Sequence, residues 1–440
     1  IYIRNDRRDL MKDFRKILMI LVPIFIFSSC GNEKQEDTKE TLRTADLLDN
    51  MLEKENMNKT KQEQKSSNEQ VGNDKSSSKD ETSEDDLGKE DKIETITLKA
   101  VGDIMANMGQ TEYAYNKGNG SYDFTDSFKY ISDFISDSDI AIANYETTTD
   151  PNKAYAGHPR FNAPPEYLKA IADAGFDIVT TANNHSLDSE LEGIETTIDA
   201  IEDAGLDHVG TRKSGNKRYI IKKVNDINIA FLSYTFGCNG IEDLFVVRDE
   251  VDQVNYIHED LIKKDIKDAK AHGADFVVIY PHWGIELRSD ADQSQIDLGH
   301  KMIDWGADLV IGNHPHVVEP YELYESENGN KGFIAYACGN FISIQNLETV
   351  NDIRTEQSVA YEFKLSKNLS DASTSIDQID EYPLWVGMTY NDYGRSVSTY
   401  RCEDFLEGGK YYDKVDENQR NRIQQAYDDT NKILHSMEAE

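Results

Sequence analysis

Five clusters of oxygen- and nitrogen-bearing side chains set the chemistry open to this chain. They are Gly102-Asp103-Ile104-Met105, Asn144-Tyr145-Glu146, Asn183-Asn184-His185-Ser186-Leu187-Asp188, Pro281-His282-Trp283-Gly284 and Gly312-Asn313-His314-Pro315-His316. Carboxylate, carboxamide and imidazole without thiolate suit a cation of the Mn, Fe or Zn type better than a soft-metal site. Each cluster ends an apolar, strand-like run: 96–101, 139–143, 176–180, 276–280 and 309–311. In α/β folds, ligands bind beyond the carboxyl ends of strands. Five such runs therefore predict one polar centre.

The elements that must position these clusters alternate from residue 95 onward. Helices are predicted at 127–135, 164–174, 189–204, 257–272 and 294–305. Pro164 and Pro165 suit a helix start, and Gly175 its end. Asn225-Asp226 between two apolar runs reads as a hairpin turn. Early βα alternation followed by hairpins predicts an α/β domain with a mixed sheet over 95–365. Residues 366–440 read as a C-terminal extension. Its polar start, 365–377, reads as a link, 382–390 as a strand and 417–437 as a terminal helix. Ile423, Ala426, Ile433 and Leu434 give that helix one apolar face, expected to pack on the main domain.

The first quarter of the chain is different. Residues 31–94 are mostly Lys, Glu, Asp, Ser, Thr, Asn and Gln with no aromatic, a disordered polar linker by composition. A transient helix is predicted at 42–54. Residues 1–30 read as a lipoprotein signal peptide, with Met11 as its start. Lys12, Arg15 and Lys16 precede the apolar run 17–27, and Ser28-Ser29-Cys30-Gly31 follows. Cys30 is the expected lipidation site, which predicts a lipid-anchored protein on the extracytoplasmic face of the cell membrane. Cys238, Cys338 and Cys402 form no disulfide framework, and Cys338 reads as core. The formal charge is −35, most of it beyond residue 94. That acidity excludes nucleic acid as a partner. An anionic ligand must be received locally, by a metal or a few basic side chains.

Taken in order, the clusters resemble the CapA family, the bacterial poly-γ-glutamate capsule biosynthesis proteins, which looks related to the calcineurin-like metallophosphoesterases. The resemblance rests on Ala100-Val101-Gly102-Asp103-Ile104-Met105, on Asn183-Asn184-His185 with Asp188, and on His282-Trp283-Gly284 with Glu286. It continues through residues 306–317 to Gly339-Asn340-Phe341. It implies a four-layer α/β/β/α metallophosphoesterase-like sandwich. It also implies a cell-envelope role in synthesis, export or anchoring of poly-γ-glutamate or a similar polymer, with that anionic polymer or its synthase subunits as partners. The alternative is a metal-dependent hydrolase acting on an anionic envelope polymer or its precursor.

Carried onto this chain, the metallophosphoesterase pattern places one ion at Asn184, His282, His314 and bridging Glu146. A second falls at Asp103, His316 and Glu146. Met105 stands where that pattern has His, and a thioether is a poor ligand for a hard cation. One tight site and a weaker second one are therefore expected. Glu146 stands where the pattern has Asp. His185 is the expected general acid. Asp188 suits either a helix cap or the orientation of a neighbouring His. Arg160 and Glu286 are substrate-binding candidates, Arg160 as a clamp for carboxylate or phosphate.

Overall fold

The structure is a computed structural model that describes residues 92–244 and 250–439. The predicted signal, Cys30, the 42–54 helix and the polar linker up to residue 91 lie outside the described residues, whereas Ile93 and Glu94, expected at the end of that linker, already belong to the first strand. Among the described residues, no helix is long and apolar enough to cross a membrane.

The first strands are β1 (Ile93–Ile104), β2 (Ile140–Tyr145), β3 (Ile178–Thr180) and β4 (Asp207–Val209). Then come β5 (Tyr219–Val224), β6 (Ile227–Thr235), β7 (Phe276–His282), β8 (Leu309–Ile311), β9 (Tyr321–Glu325) and β10 (Lys331–Ala335). The last are β11 (Asn340–Ile342), β12 (Gln357–Asn368), β13 (Thr374–Asn391) and β14 (Gly394–Arg401). They form two sheets. One runs β14-β13-β12-β1-β2-β3-β4, with β11 also paired to β1. The other runs β5-β6-β7-β8-β10-β9. Both are mixed, parallel through β1-β2-β3-β4 and through β6-β7-β8-β10.

The two-residue period of a strand explains the layering. Ile140 and Ile142 of β2 enter the core between the sheets, where they join Phe231, Phe276 and Val278. Ala141, Ala143 and Tyr145 face the other way, toward Tyr167, Leu168 and Ile171 of helix Pro165–Asp173. On the second sheet, Val277 and Ile279 point outward onto Ile262, Ile266, Met302 and Ile303. Those residues belong to helices Glu259–Ala271 and Gln293–Asp304. The result is the expected four-layer α/β/β/α order. Full burial of each such aliphatic side chain contributes about 1.5–3 kcal/mol.

Most predicted helices lie within a residue or two of their expected bounds. The one expected at 127–135 is broken into Thr125–Phe128 and Ser132–Ser136. The hairpin expected around Asn225-Asp226 is formed by β5 and β6, with Asn225 at φ 53°. The polar stretch 365–377 is a different case. It does not link two parts. β12 runs to Asn368, and β13 starts at Thr374 and pairs back along it, with Leu365 opposite Ile376 and Lys367 opposite Thr374. Most side chains there are polar and partly or fully exposed, so the ladder reads as polar sequence. Strands β13 and β14 thus extend the first sheet. Helix Glu417–Leu434 packs on it through Ile423 and Ala426 against Trp385 and Tyr400. Cys238, Cys338 and Cys402 are free and buried.

Candidate metal centre

All five clusters lie at carboxyl ends of strands or in the loops just beyond. β1 carries Asp103 and β2 ends next to Glu146. The loop after β3 holds Asn184 and His185. His282 is the last residue of β7, and His314 and His316 follow β8. Register holds Asp103 in the middle of its sheet. β12 pairs with β1 as far as Ala100, and β11 takes over at Asp103, opposite Asn340. On the other side Asp103 is opposite Asn144. This crossing requires glycine: a Cβ at Gly102 would lie 1.9 Å from the Gly339 carbonyl oxygen. His314 and His316 sit at φ 104° and 59°. Non-glycine residues held there cost on the order of 1–3 kcal/mol each, a cost that clusters at functional sites.

The ligand-type side chains converge. Asp103, Glu146, Asn184, His282, His314 and His316 are all buried. Glu146, His282 and His314 each offer a donor atom within 4.8 Å of the others, as do Asp103, Glu146 and His316. His282 Nε2 lies 3.7 Å from Glu146 Oε1 and 3.0 Å from Asn184 Oδ1. His316 Nε2 lies 3.7 Å from the same Glu146 oxygen, and His316 Nδ1 lies 3.4 Å from Asp103 Oδ2. The two predicted ligand groups are therefore each brought together in space, with Glu146 common to both.

The electrostatics fit a missing positive charge. Burial, then the charges of Asp103 and Glu286, hold the Glu146 carboxyl well above the usual carboxylate range. Burial and the neighbouring histidines push His282 well below its ordinary value, and push His314 down to about 3. These two rings are neutral, with lone pairs available. Both Glu146 oxygens and His314 Nδ1 are buried without a hydrogen-bond partner. Leaving a buried carboxylate unpaired costs several kcal/mol. A divalent cation between these atoms would satisfy all three, so the residues present fit the group.

Other residues surround this core. His185 Nδ1 lies 2.6 Å from Asp188 Oδ2, and His185 Nε2 lies 3.9 Å from Glu146 Oε1. Asp188 also accepts from the Phe161 backbone N at 2.6 Å, and makes no side-chain cap for helix Glu190–Asp203. It orients His185. Asn183 donates to the Tyr145 carbonyl, tying the β3 loop to β2. A cavity of about 690 Å³ opens above the centre. His185, Asn184 and His316 line it, and so do Met105, Arg160 and Glu286. Arg160 is half-exposed, 3.6 Å from Glu190.

Three contributors escape a reading of the clusters alone. Asn340 Oδ1 lies 3.0 Å from His316 Nδ1, leaving Nε2 toward Glu146. Asn144 donates to Asp103 Oδ1 at 2.7 Å. Phe236 lies over the rings of His282 and His314, at 6.3 and 4.7 Å between centroids. The first two stand in quoted motifs, Gly339-Asn340-Phe341 and Asn144-Tyr145-Glu146. Phe236 carries no signal beyond following a strand.

The fold is a four-layer sandwich whose strand ends gather buried carboxylates and histidines able to hold a metal ion. Residues 97–345 match the family of bacterial capsule synthesis proteins, PGA_cap, and the chain belongs to that family. It is 30% identical over 285 residues to the capsule biosynthesis protein CapA of Bacillus anthracis, covering 62% of this chain and 65% of that protein. It is 31% identical over 283 residues to the PGA biosynthesis protein CapA of Bacillus subtilis (strain 168), covering 62% and 69%. Among solved structures it is similar to the calcineurin-like phosphoesterase YfkN from Bacillus subtilis. That likeness has 18% identity, a TM-score of 0.39, and covers 76% of this chain and 97% of that one.

Proposed function

We propose that the protein takes part in synthesis, export or anchoring of poly-γ-glutamate or a similar anionic capsule polymer, working with the polymer or its synthase subunits at the cell envelope. The supporting observation is that the residues matching the capsule family, 97–345, include every side chain of the metal centre. In this reading Cys30 carries lipid and holds the protein on the extracytoplasmic face of the cell membrane. The test is complementation of a deletion strain. His314→Ala should leave the protein folded but lower surface polymer. Cys30→Ala should abolish incorporation of labelled fatty acid. Normal polymer from the His314 variant overturns a role for the centre, and unmodified Cys30 in wild-type membranes overturns the anchor.

A second reading, a metal-dependent hydrolase acting on such a polymer or its precursor, is favoured by the His185–Asp188 pair facing Glu146. A bound Mn, Zn or Fe ion would supply a Lewis acid and lower the pKa of a bound water. Asn184, His282, His314 and Glu146 would hold a tight ion, and Asp103, His316 and Glu146 a weaker one. His185, oriented by Asp188, would deliver a proton to the leaving group from the cavity side. Arg160 at the mouth would receive an anionic group, and Glu286 would meet the substrate on the cavity wall. His185→Ala should retain metal and lose about 100- to 10,000-fold in turnover. Full restoration of surface polymer by a folded, membrane-attached His185→Ala variant rejects this role.

A further inference from the structure

The cavity above the metal centre has a wall of a different chemistry from its floor. Its floor is polar, formed by Asn184, His185 and His316. Pro159, Ile241, Leu287, Ile344 and Val350 line it as well. The apolar character continues outward. Tyrosines aside, every large hydrophobic side chain left exposed among the described residues except Ile93 lies on a segment beside this cavity. Phe236 and Leu244 follow β6, at 52% and 65% exposure, and Ile241 between them lines the cavity. Ile285 and Leu287 follow β7 and flank the lining residue Glu286. Leu347 and Val350 belong to the short helix after β11, and Met108 follows the lining residue Asn107.

Scattered exposed apolar residues need no explanation, but their concentration at one rim marks an interaction site. Segments following four strands, β1, β6, β7 and β11, supply this rim, so no single local sequence preference accounts for it. The cavity is also of the size that takes a whole organic ligand, within the roughly 300–1,000 Å³ of small-molecule sites. A bare phosphate or carboxylate would leave most of it unfilled. The charge of the chain bears on the choice of occupant. At a formal −35, it repels a polyanion in bulk but tolerates one anionic group delivered to a cation and to Arg160.

We infer that the metal centre takes an amphiphile: an anionic headgroup at the Glu146 and histidine floor, with an alkyl chain lying across the rim of Phe236, Ile241, Leu287, Leu347 and Val350. This rests on the metal-centre reading above and names the class of ligand for it. The occupant of the cavity is thus an anionic amphiphile and not a bare anion. The head enters between Arg160 and Glu286, and the chain displaces water from Phe236, Leu287, Leu347 and Val350, which are otherwise left wet.

The test uses the full chain loaded with Mn, its metal content measured before each titration. Calorimetry compares dodecyl phosphate, below its micelle concentration, with inorganic phosphate. Dodecyl phosphate should bind at least about 100-fold more tightly, the gain expected from burying three to four methylenes. The Leu347→Ser/Val350→Ser double variant changes two exposed positions. It should keep its metal and its phosphate affinity while losing about tenfold or more of the chain-length preference. Equal affinity for the two probes on a metal-loaded chain overturns the inference and leaves the metal centre standing. A chain that takes up no metal overturns the centre itself. A concentration-dependent dimer abolished by the double variant would also overturn it, because a second copy would then own the rim.

Discussion

The two halves of the metal centre share Glu146 and differ in nearly everything else. Around His282 and His314 the set is completed by a carboxamide, with Asn184 Oδ1 3.0 Å from His282 Nε2. Both rings there are held neutral by burial and by neighbouring histidines. Around Asp103 and His316 no such fourth donor is supplied. Met105, two residues beyond Asp103, lines the cavity, but Ser343 Oγ contacts its sulfur at 3.5 Å. His316 is already engaged with Asp103 and with Asn340. In the first half His314 Nδ1 has no hydrogen-bond partner and His282 bonds only carboxamides, whereas in the second His316 is engaged by a carboxylate. A cation therefore gains more from entering the first half than the second.

The largest effect should come from the atom pair common to both. Glu146→Gln removes the shared charge, and loss of one partner from a buried charged cluster costs about 3–5 kcal/mol. Elemental analysis of the purified chain should find both ions gone, whereas His314→Ala should empty only the first half. Metal-free protein should respond in the opposite sense. Glu146 is raised by burial, so in the ion-free wild type its contribution to stability is present below the ordinary carboxylate pKa and is lost as pH rises. Metal-free Glu146→Gln should lack that loss and melt higher near neutral pH. A variant that still binds two ions would show that Glu146 does not bridge.

A smaller effect should separate the halves from the supporting side. Asn340 touches His316 and no residue of the first half among its hydrogen bonds. Loss of such a supporting partner typically costs about 10–100-fold in metal affinity. Asn340→Ala should lower the second affinity by that amount in a calorimetric titration and leave the first unchanged. Equal weakening of both would mean that the halves are one coupled unit. Met105→His approaches the same comparison from the other side. It places an imidazole where a thioether now stands and should raise the second affinity by about tenfold or more, a value measured in the same titration. No change would mean that the cavity wall at Ser343 keeps that position away from the ion.

This asymmetry was legible in the sequence only in part, for a physical reason. Ligand residues at strand ends announce themselves, because an apolar run stopping on Asp, Asn or His has few structural uses. Asp103, Glu146, Asn184, His282, His314 and His316 could therefore be found, and the family resemblance grouped them into two sets. The βα alternation announced an α/β domain with a mixed sheet, whereas the four layers were implied only by that resemblance. Partners that come from far along the chain were not legible. Asn340 reaches His316 because β11 pairs with β1 at Asp103, a register no local pattern specifies. Phe236 and the short helix Leu347–Val350 meet over the cavity only once both sheets are stacked. The polar alternation of 365–377 misled because a sheet strand with one wet face and a linker have similar composition.

The smallest effect should be the most specific, since it follows from the protonation of one ring. Burial alone would lower His316, but its hydrogen bond to Asp103, the charges of Asp103 and Glu286, and Asn340 raise it above its ordinary value. Its proton must leave before Nε2 can take an ion, because a ligating imidazole must be neutral. His282 and His314 have no such proton to lose near neutrality. Affinity of the second half should therefore rise with pH, by at most about tenfold per unit below the raised His316 value, and level off above it. Neither ring of the first half adds such a dependence, so there only the raised Glu146 carboxyl ties affinity to pH. Calorimetric titration of the full chain with Mn at about pH 6, 7 and 8, in buffers of different ionisation heat, measures both slopes and counts released protons. The His316 proton should accompany the second ion, apart from the proton that Glu146 yields to the first. A second affinity that does not change with pH would show that the bond between His316 and Asp103 does not hold the proton, and the two halves would then differ only through Asn184 and Met105.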